Sequence, residues 1–194
     1  MKRNLIFSFL AAFFLCLPLS VAAQKQNGHA KQHKSVKKEL CLQLYSVRDL
    51  VHDINKDGKA EARWTSLLSR LHAMGYTSVE AAWYDQEHGT FYNRKAKDFK
   101  ADIEKAGMKV LSSHVNHGLT AEELASGDFT KALDWWKKCI ADHKAAGMSY
   151  IVNPWIGLQK SIHDLDVYCR YLNAIGKMCK EAGLSFGYHN HNYE

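Results

Sequence analysis

The sequence predicts an α/β fold, a (β/α)8 TIM barrel of which this chain holds about four β/α units and a fifth strand. Three observations predict it. Short apolar runs recur with strand-like alternation, longer segments between them place apolar residues at helical spacing, and glycines at 75, 107, 147 and 183 punctuate the joins. These glycines stand 32, 40 and 36 residues apart, each just ahead of an apolar run, as left-handed helix C-caps should be. A strand plus a helix every ~36 residues calls for a parallel sheet with helices outside it.

The first expected strand is 40–46, followed by a polar loop and a helix with Leu67, Leu68, Leu71 and Met74 on one face, closed by Gly75. Residues 77–83 form the second strand, and Ala96, Phe99, Ile103 and Ala106 mark its helix, closed by Gly107. The third strand is 108–114, with Phe129, Leu133, Trp136, Ile140 and His143 on the following helix. The fourth is 149–155, followed by a helix carrying Ile162, Leu165, Tyr168, Leu172, Ile175 and Cys179. Residues 184–194 open as a fifth strand and end as a cluster of His, Asn and Glu.

A doubly wound sheet would show a glycine-rich phosphate turn after its first strand. Here that turn is Ser46-Val-Arg-Asp-Leu-Val51, without glycine, and the barrel is preferred. Eight units of this size need about 290 residues, so the sequence reads as the N-terminal part of a barrel. The alternative is a small open sheet complete in itself, whose fifth strand would then be an exposed edge.

Outside the barrel segment, 40–194, the composition changes twice. Residues 1–23 carry Lys2 and Arg3, an apolar run from Leu5 to Leu19 and the small residues Val21-Ala22-Ala23, the layout of a secretory signal peptide. Residues 24–39, with five Lys and no aromatics, read as a basic disordered linker. The formal charge of +6 resides in these two segments, and 40–194 is neutral. A neutral domain lacks the basic face of a nucleic-acid binder. The expected location is secreted or periplasmic, with no membrane partner after signal cleavage. Export permits disulfides, but Cys169 and Cys179 share one predicted helix roughly 15 Å apart, beyond bridging reach. Cys41, Cys139, Cys169 and Cys179 are therefore expected as small apolar core residues.

Barrel chemistry gathers at the C-terminal ends of the strands. The residues there are Tyr45 with Arg48 and Asp49, Glu80 within strand two, His114 with Asn116 and His117, Asn153-Pro154-Trp155, and His189, His191 and Glu194. Alternation puts Ser78 and Glu80 on one face and His189 and His191 side by side on another. Glu80 suits either a barrel interior site or a structural ion pair. His-x-His is a modest metal signal, and parity sets Glu194 on the opposite face unless the strand stops near Asn192.

Gln43-Leu-Tyr-Ser-Val-Arg48, Gly75-Tyr-Thr-Ser-Val-Glu80, Ser113-His114, Asn153-Pro-Trp155 and Gly187-Tyr-His-Asn-His-Asn-Tyr-Glu194 together resemble the sugar phosphate isomerase/epimerase family, the xylose isomerase-like barrels. The resemblance implies one divalent metal, Mn²⁺ or Mg²⁺ with Zn²⁺ or Co²⁺ as alternatives, held by four residues of the later strands. Glu194 matches the first of these and is the implied metal ligand and catalytic carboxylate. It also implies a sugar pocket lined by His114, Trp155 and His189, with Tyr45 and Trp155 offering apolar faces, to which strand position adds Glu80 and His191 as candidate substrate-binding residues. The expected activity is a metal-dependent sugar isomerase, epimerase or keto-sugar lyase working through an enediolate. A non-catalytic carbohydrate-binding or inactive barrel is the alternative, and export disfavours phosphorylated substrates.

Overall fold

The computed structural model describes residues 38–52 and 59–192. The expected signal segment, nearly all of the linker and Glu194 lie outside the described residues. In chain order the elements are β1 (Cys41–Gln43), a 3-10 turn (Leu44–Val47), α1 (Arg48–His52), α2 (Ala60–Ala73) and β2 (Ser78–Ala81). Three short strands follow, β3 (Tyr84–Asp85), β4 (Thr90–Phe91) and β5 (Arg94–Lys95), and then α3 (Ala96–Lys105) and β6 (Lys109–His114). The remainder is α4 (Ala121–Ser126), α5 (Thr130–Ala145), β7 (Tyr150–Asn153), α6 (Ile162–Glu181) and β8 (Ser185–Tyr188).

The main sheet has the order β1-β2-β6-β7-β8, and every pair in it is parallel. Sequential strands joined by helices and lying side by side in chain order are the wall of a β/α barrel. The four punctuating glycines each adopt positive φ, +97° at Gly75, +85° at Gly107, +76° at Gly147 and +81° at Gly183. Each lets the chain leave a helix and turn directly into the next strand.

The helices bury one stripe each. From α2 these are Trp64, Leu67, Leu68 and Leu71, which pack with Phe99 and Ile103 of α3 against Val79 and Ala81 of the sheet. From α5 and α6, Trp136, Cys139, Ile140, Tyr171, Ile175 and Cys179 enclose Ile151. Burying one such large side chain contributes about 2 kcal/mol.

Three expected core positions lie on the surface. Met74 is 65% exposed, because α2 ends at Ala73 and Met74 is its C-cap. Ile162 is 86% exposed and Leu165 46%. At 100° per residue Ile162 lies roughly 150° from the centre of the stripe formed by Val167, Tyr168, Tyr171, Ile175 and Cys179. The cysteines also divide, with Cys139 and Cys179 buried but Cys41 and Cys169 exposed, all as free thiols.

Two structures in the connections are new relative to the sequence reading. β3, β4 and β5 form a small antiparallel sheet after β2, turned between β4 and β5 by Tyr92 and Asn93 at φ 52° and 62°. The Tyr84 hydroxyl ties it to α5 by donating to Asp142 at 2.7 Å, and Arg94 bridges Asp102 at 2.7 Å and Glu61 at 2.8 Å. Helix α4 begins in a capping box in which Thr120 and Glu123 cap each other's backbone N–H groups. Strand β1 is shorter than expected, since the chain turns into the 3-10 helix at Leu44.

Candidate functional site

A cavity of about 620 Å³ opens at the C-terminal ends of the parallel strands, lined among others by Tyr45, Trp83, His114, Trp135, His189 and His191. Each element delivers its residue by stopping there. β1 ends at Gln43 and the 3-10 turn presents Tyr45; β6 ends at His114; β8 ends at Tyr188 and releases His189 and His191. The last strand end is pinned by the His189 N–H donating to the Asn153 carbonyl at 3.0 Å.

Beneath the cavity lies a polar cluster built by strand register. Gln43 pairs with Glu80 across β1 and β2. Between β2 and β6 the register shifts after Val79, which pairs with Val110, so that Glu80 pairs with Ser112 and not with Leu111. The shift exchanges an apolar neighbour for a hydroxyl. Ser112 Oγ donates to Glu80 Oε2 at 2.5 Å, and Gln43 Nε2 donates to Glu80 Oε1 at 2.7 Å. His114 Nε2 stands 3.2 Å from the same Oε1. A carboxylate that accepts through both of its oxygens acts as an anchor for its neighbours.

Gln43 has a second amide hydrogen, and its nitrogen lies 3.1 Å from Nδ1 of His114. The same Gln43 nitrogen lies 3.0 Å from Nε2, so the amide faces the ring edge between the two nitrogens. Burial lowers the His114 pKa below the ordinary imidazole value; the Glu80 carboxylate opposes that shift, and His189 and His191 reinforce it. His114 meets His189 edge to face at 5.1 Å, and His189 meets His191 at 4.8 Å. The result is a row of three imidazoles in a cavity that Tyr45, Trp83 and Trp135 also line.

Of the residues expected from the sequence, Tyr45, His114, His189 and His191 converge on the cavity, and Glu80 braces it from below. Trp155 is half-exposed and is not among the lining residues, its N–H bound to Asn153 Oδ1 at 3.0 Å. Gln43, Trp83 and Trp135 are site residues that the sequence reading passed over. Gln43 was findable, since it occupies the strand position level with Glu80. Trp135 was not, because nothing in a helical pattern says which neighbour of Trp136 meets a strand end.

Among the described residues no group of three or more His, Cys, Asp and Glu side chains is arranged to hold a metal ion. The described residues therefore do not themselves fit the implied divalent metal, whose one expected ligand here, Glu194, lies outside them.

Parallel strands in chain order with a polar, aromatic-walled cavity at their C-terminal ends define a β/α-barrel protein of the small-molecule-site type. The chain belongs to the xylose isomerase-like TIM barrel family, which residues 68–194 match. It is similar to two sugar phosphate isomerase/epimerase structures from Parabacteroides distasonis ATCC 8503. One shares 30% identity over 82% of this chain and 53% of the other, with a TM-score of 0.64. The second shares 27% identity over 80% of this chain and 55% of the other, with a TM-score of 0.63. A xylose isomerase domain protein from Alicyclobacillus acidocaldarius, 13% identical, shares the fold at a TM-score of 0.51, covering 77% of this chain and 49% of the other. The chain thus spans about half the length of the structures it matches. No curated protein matches it.

Proposed function

We propose that this chain supplies the sugar-binding half of an exported barrel that isomerises or epimerises a sugar by moving a proton next to a carbonyl. The observation that carries the reading is the row of His114, His189 and His191 in one cavity with Tyr45, Trp83 and Trp135, with Glu80 beside His114. Aromatic faces accept the C–H side of a sugar ring, and imidazoles hydrogen-bond its hydroxyls in either direction. Burial holds the His114 pKa below the ordinary imidazole value, so the ring enters the site as a neutral hydrogen-bonding group. Glu80 serves as a positioning group, because its oxygens are engaged by Ser112, Gln43 and His114. Among the described residues no Lys or Arg lines the cavity, and Arg48 is held over the Tyr45 ring at 4.6 Å, which favours an uncharged sugar over a sugar phosphate. The similarity to the P. distasonis isomerase/epimerase structures supports the reaction class.

Metal dependence belongs to the same proposal through Glu194 and the ligands that the family resemblance assigns to later strands. The divalent ion would polarise the carbonyl when bound. The described chain contributes orientation, water exclusion by its aromatic rings and a neutral imidazole. The test is proton exchange. A barrel that includes the later strands, given Mn²⁺ or Mg²⁺ in D₂O with fructose or another free ketose, is expected to wash out the C–H signal beside the carbonyl in ¹H NMR, at least tenfold slower in His189→Ala.

The absence of a three-ligand group among the described residues favours a second reading, a barrel that binds sugar without converting it. Calorimetric sugar binding without exchange under any of these ions would establish that reading and overturn the first.

A further inference from the structure

Trp135 forms a wall of two cavities. Besides the strand-end cavity, it lines a second one of about 470 Å³ enclosed by α4 and the start of α5, shared with His117, Glu122, Ser126, Asp128 and Lys131. Both volumes lie within the range of small-molecule sites, about 300–1,000 Å³. The His117 ring stacks on Trp135 at 4.4 Å and 4° from parallel, so the indole is fixed between the two spaces. The loop that carries His117 is itself held from below by the Tyr171 hydroxyl, which donates to the His117 carbonyl at 2.8 Å.

The polar groups of this second cavity divide into used and unused. Glu123 is occupied by the Thr120 capping box, and Asp128 accepts from Thr130 at 2.7 Å. The ring nitrogens of His117, the Glu122 carboxylate and the Lys131 ammonium have no hydrogen-bond partner among the described residues. A stacked pair of aromatic rings beside unused carboxylate and amine groups is the chemistry that recognises a polyhydroxylated ring. With Glu122, Glu123 and Asp128 against Lys131 alone, the cavity is acidic and repels a phosphate or carboxylate ligand.

We infer that the α4–α5 cavity is a second sugar subsite, so that the ligand is a neutral glycoside with one ring among the imidazoles and a second ring past Trp135. The inference rests on the strand-end cavity being the sugar site proposed above. The two are separable by calorimetric titration of the full chain with glucose, galactose, cellobiose, maltose and lactose. At least one disaccharide is expected to bind ten times more tightly than either monosaccharide. Lys131→Ala and Glu122→Gln, both on exposed positions, are expected to cut that ratio to below threefold, and Trp135→Phe, a gentler change than removal of the ring, to reduce it likewise. Monosaccharide binding with no disaccharide advantage, or an advantage untouched by Lys131→Ala and Glu122→Gln, overturns the subsite and leaves the proposed function standing. Failure of all five sugars to bind overturns the subsite, and overturns the proposed function as well when fructose shows no exchange.

Discussion

Nε2 of His114 lies 3.2 Å from Oε1 of Glu80, and both side chains are largely sequestered, 15% and 18% exposed. That carboxylate accepts from Gln43 on β1 and from Ser112 on β6, so it ties β1, β2 and β6 together at the end where the cavity opens. Glu80→Ala leaves those donors without their acceptor and is expected to cost about 2 kcal/mol in urea unfolding. Glu80→Gln, which keeps the shape but replaces an acceptor with a donor, should recover part of the loss. It should also move the His114 ring nitrogen resonances, a change that a purely structural carboxylate elsewhere would not produce.

His143 gives the chain a pH-dependent stability. Its imidazole is wholly buried against Tyr84 and Phe91, its Nδ1–H donates to the Cys139 carbonyl at 2.7 Å, and its Nε2 has no partner. Burial pulls its pKa from 6.5 down to about 4. The neutral form is favoured on folding, so the contribution is complete above pH 6.5 and is lost as pH falls toward 4. The expected loss over that window is roughly 3 kcal/mol. Urea midpoints measured from pH 7 to pH 4 should show it, and His143→Phe should flatten the slope across the same range.

Tyr171 links the core to the rim. Its hydroxyl accepts from Trp136 Nε1 at 2.6 Å and donates to the His117 carbonyl at 2.8 Å. Tyr171→Phe strands a buried indole N–H and frees the His117 loop. A destabilisation of about 2 kcal/mol is expected, together with a change in Trp fluorescence as the His117–Trp135 stack loosens.

Gly183 isolates backbone strain from packing. Its φ is +81°, and a Cβ built there would meet no heavy atom within 4 Å. Gly183→Ala should therefore cost only the left-handed conformational penalty, about 1 kcal/mol, or roughly 3 °C in Tm. A loss of 10 °C would show that the turn between α6 and β8 has some other requirement.

Thiol accessibility separates the four barrel cysteines. Cys41 and Cys169 are exposed, while Cys139 and Cys179 are buried with their thiol pKa values raised by burial. Peptide mapping after brief iodoacetamide treatment should find label at Cys169 first. Cys41 should follow more slowly because burial also raises its thiol pKa, and the remaining two should react only in denaturant.

Much of this molecule was legible as periodicity. The glycines at 75, 107, 147 and 183 announced the helix ends because only a residue without Cβ takes those φ values at no cost, and the strand tips carry Tyr45, His114, His189 and His191, which line the cavity. The β3–β5 sheet was not legible, since strands of two residues carry no alternation and its Tyr92-Asn93 turn lacks the glycine that usually advertises such a turn. Helix α4 left a signal in Thr120 and Glu123, a capping box at the required spacing, that went unread.

By itself the sequence determined the alternation of strands and helices, the face each helix buries along most of its length, and the chemistry at the strand ends, because these follow from local backbone preference and solvent. Only the tertiary structure decided which of those groups meet. The register shift after Val79 gives Glu80 a serine where unbroken pairing would give it a leucine, and packing of α5 against the strand ends sets Trp135 between two cavities. Both depend on how separate segments slide against one another, a relationship that no single segment encodes.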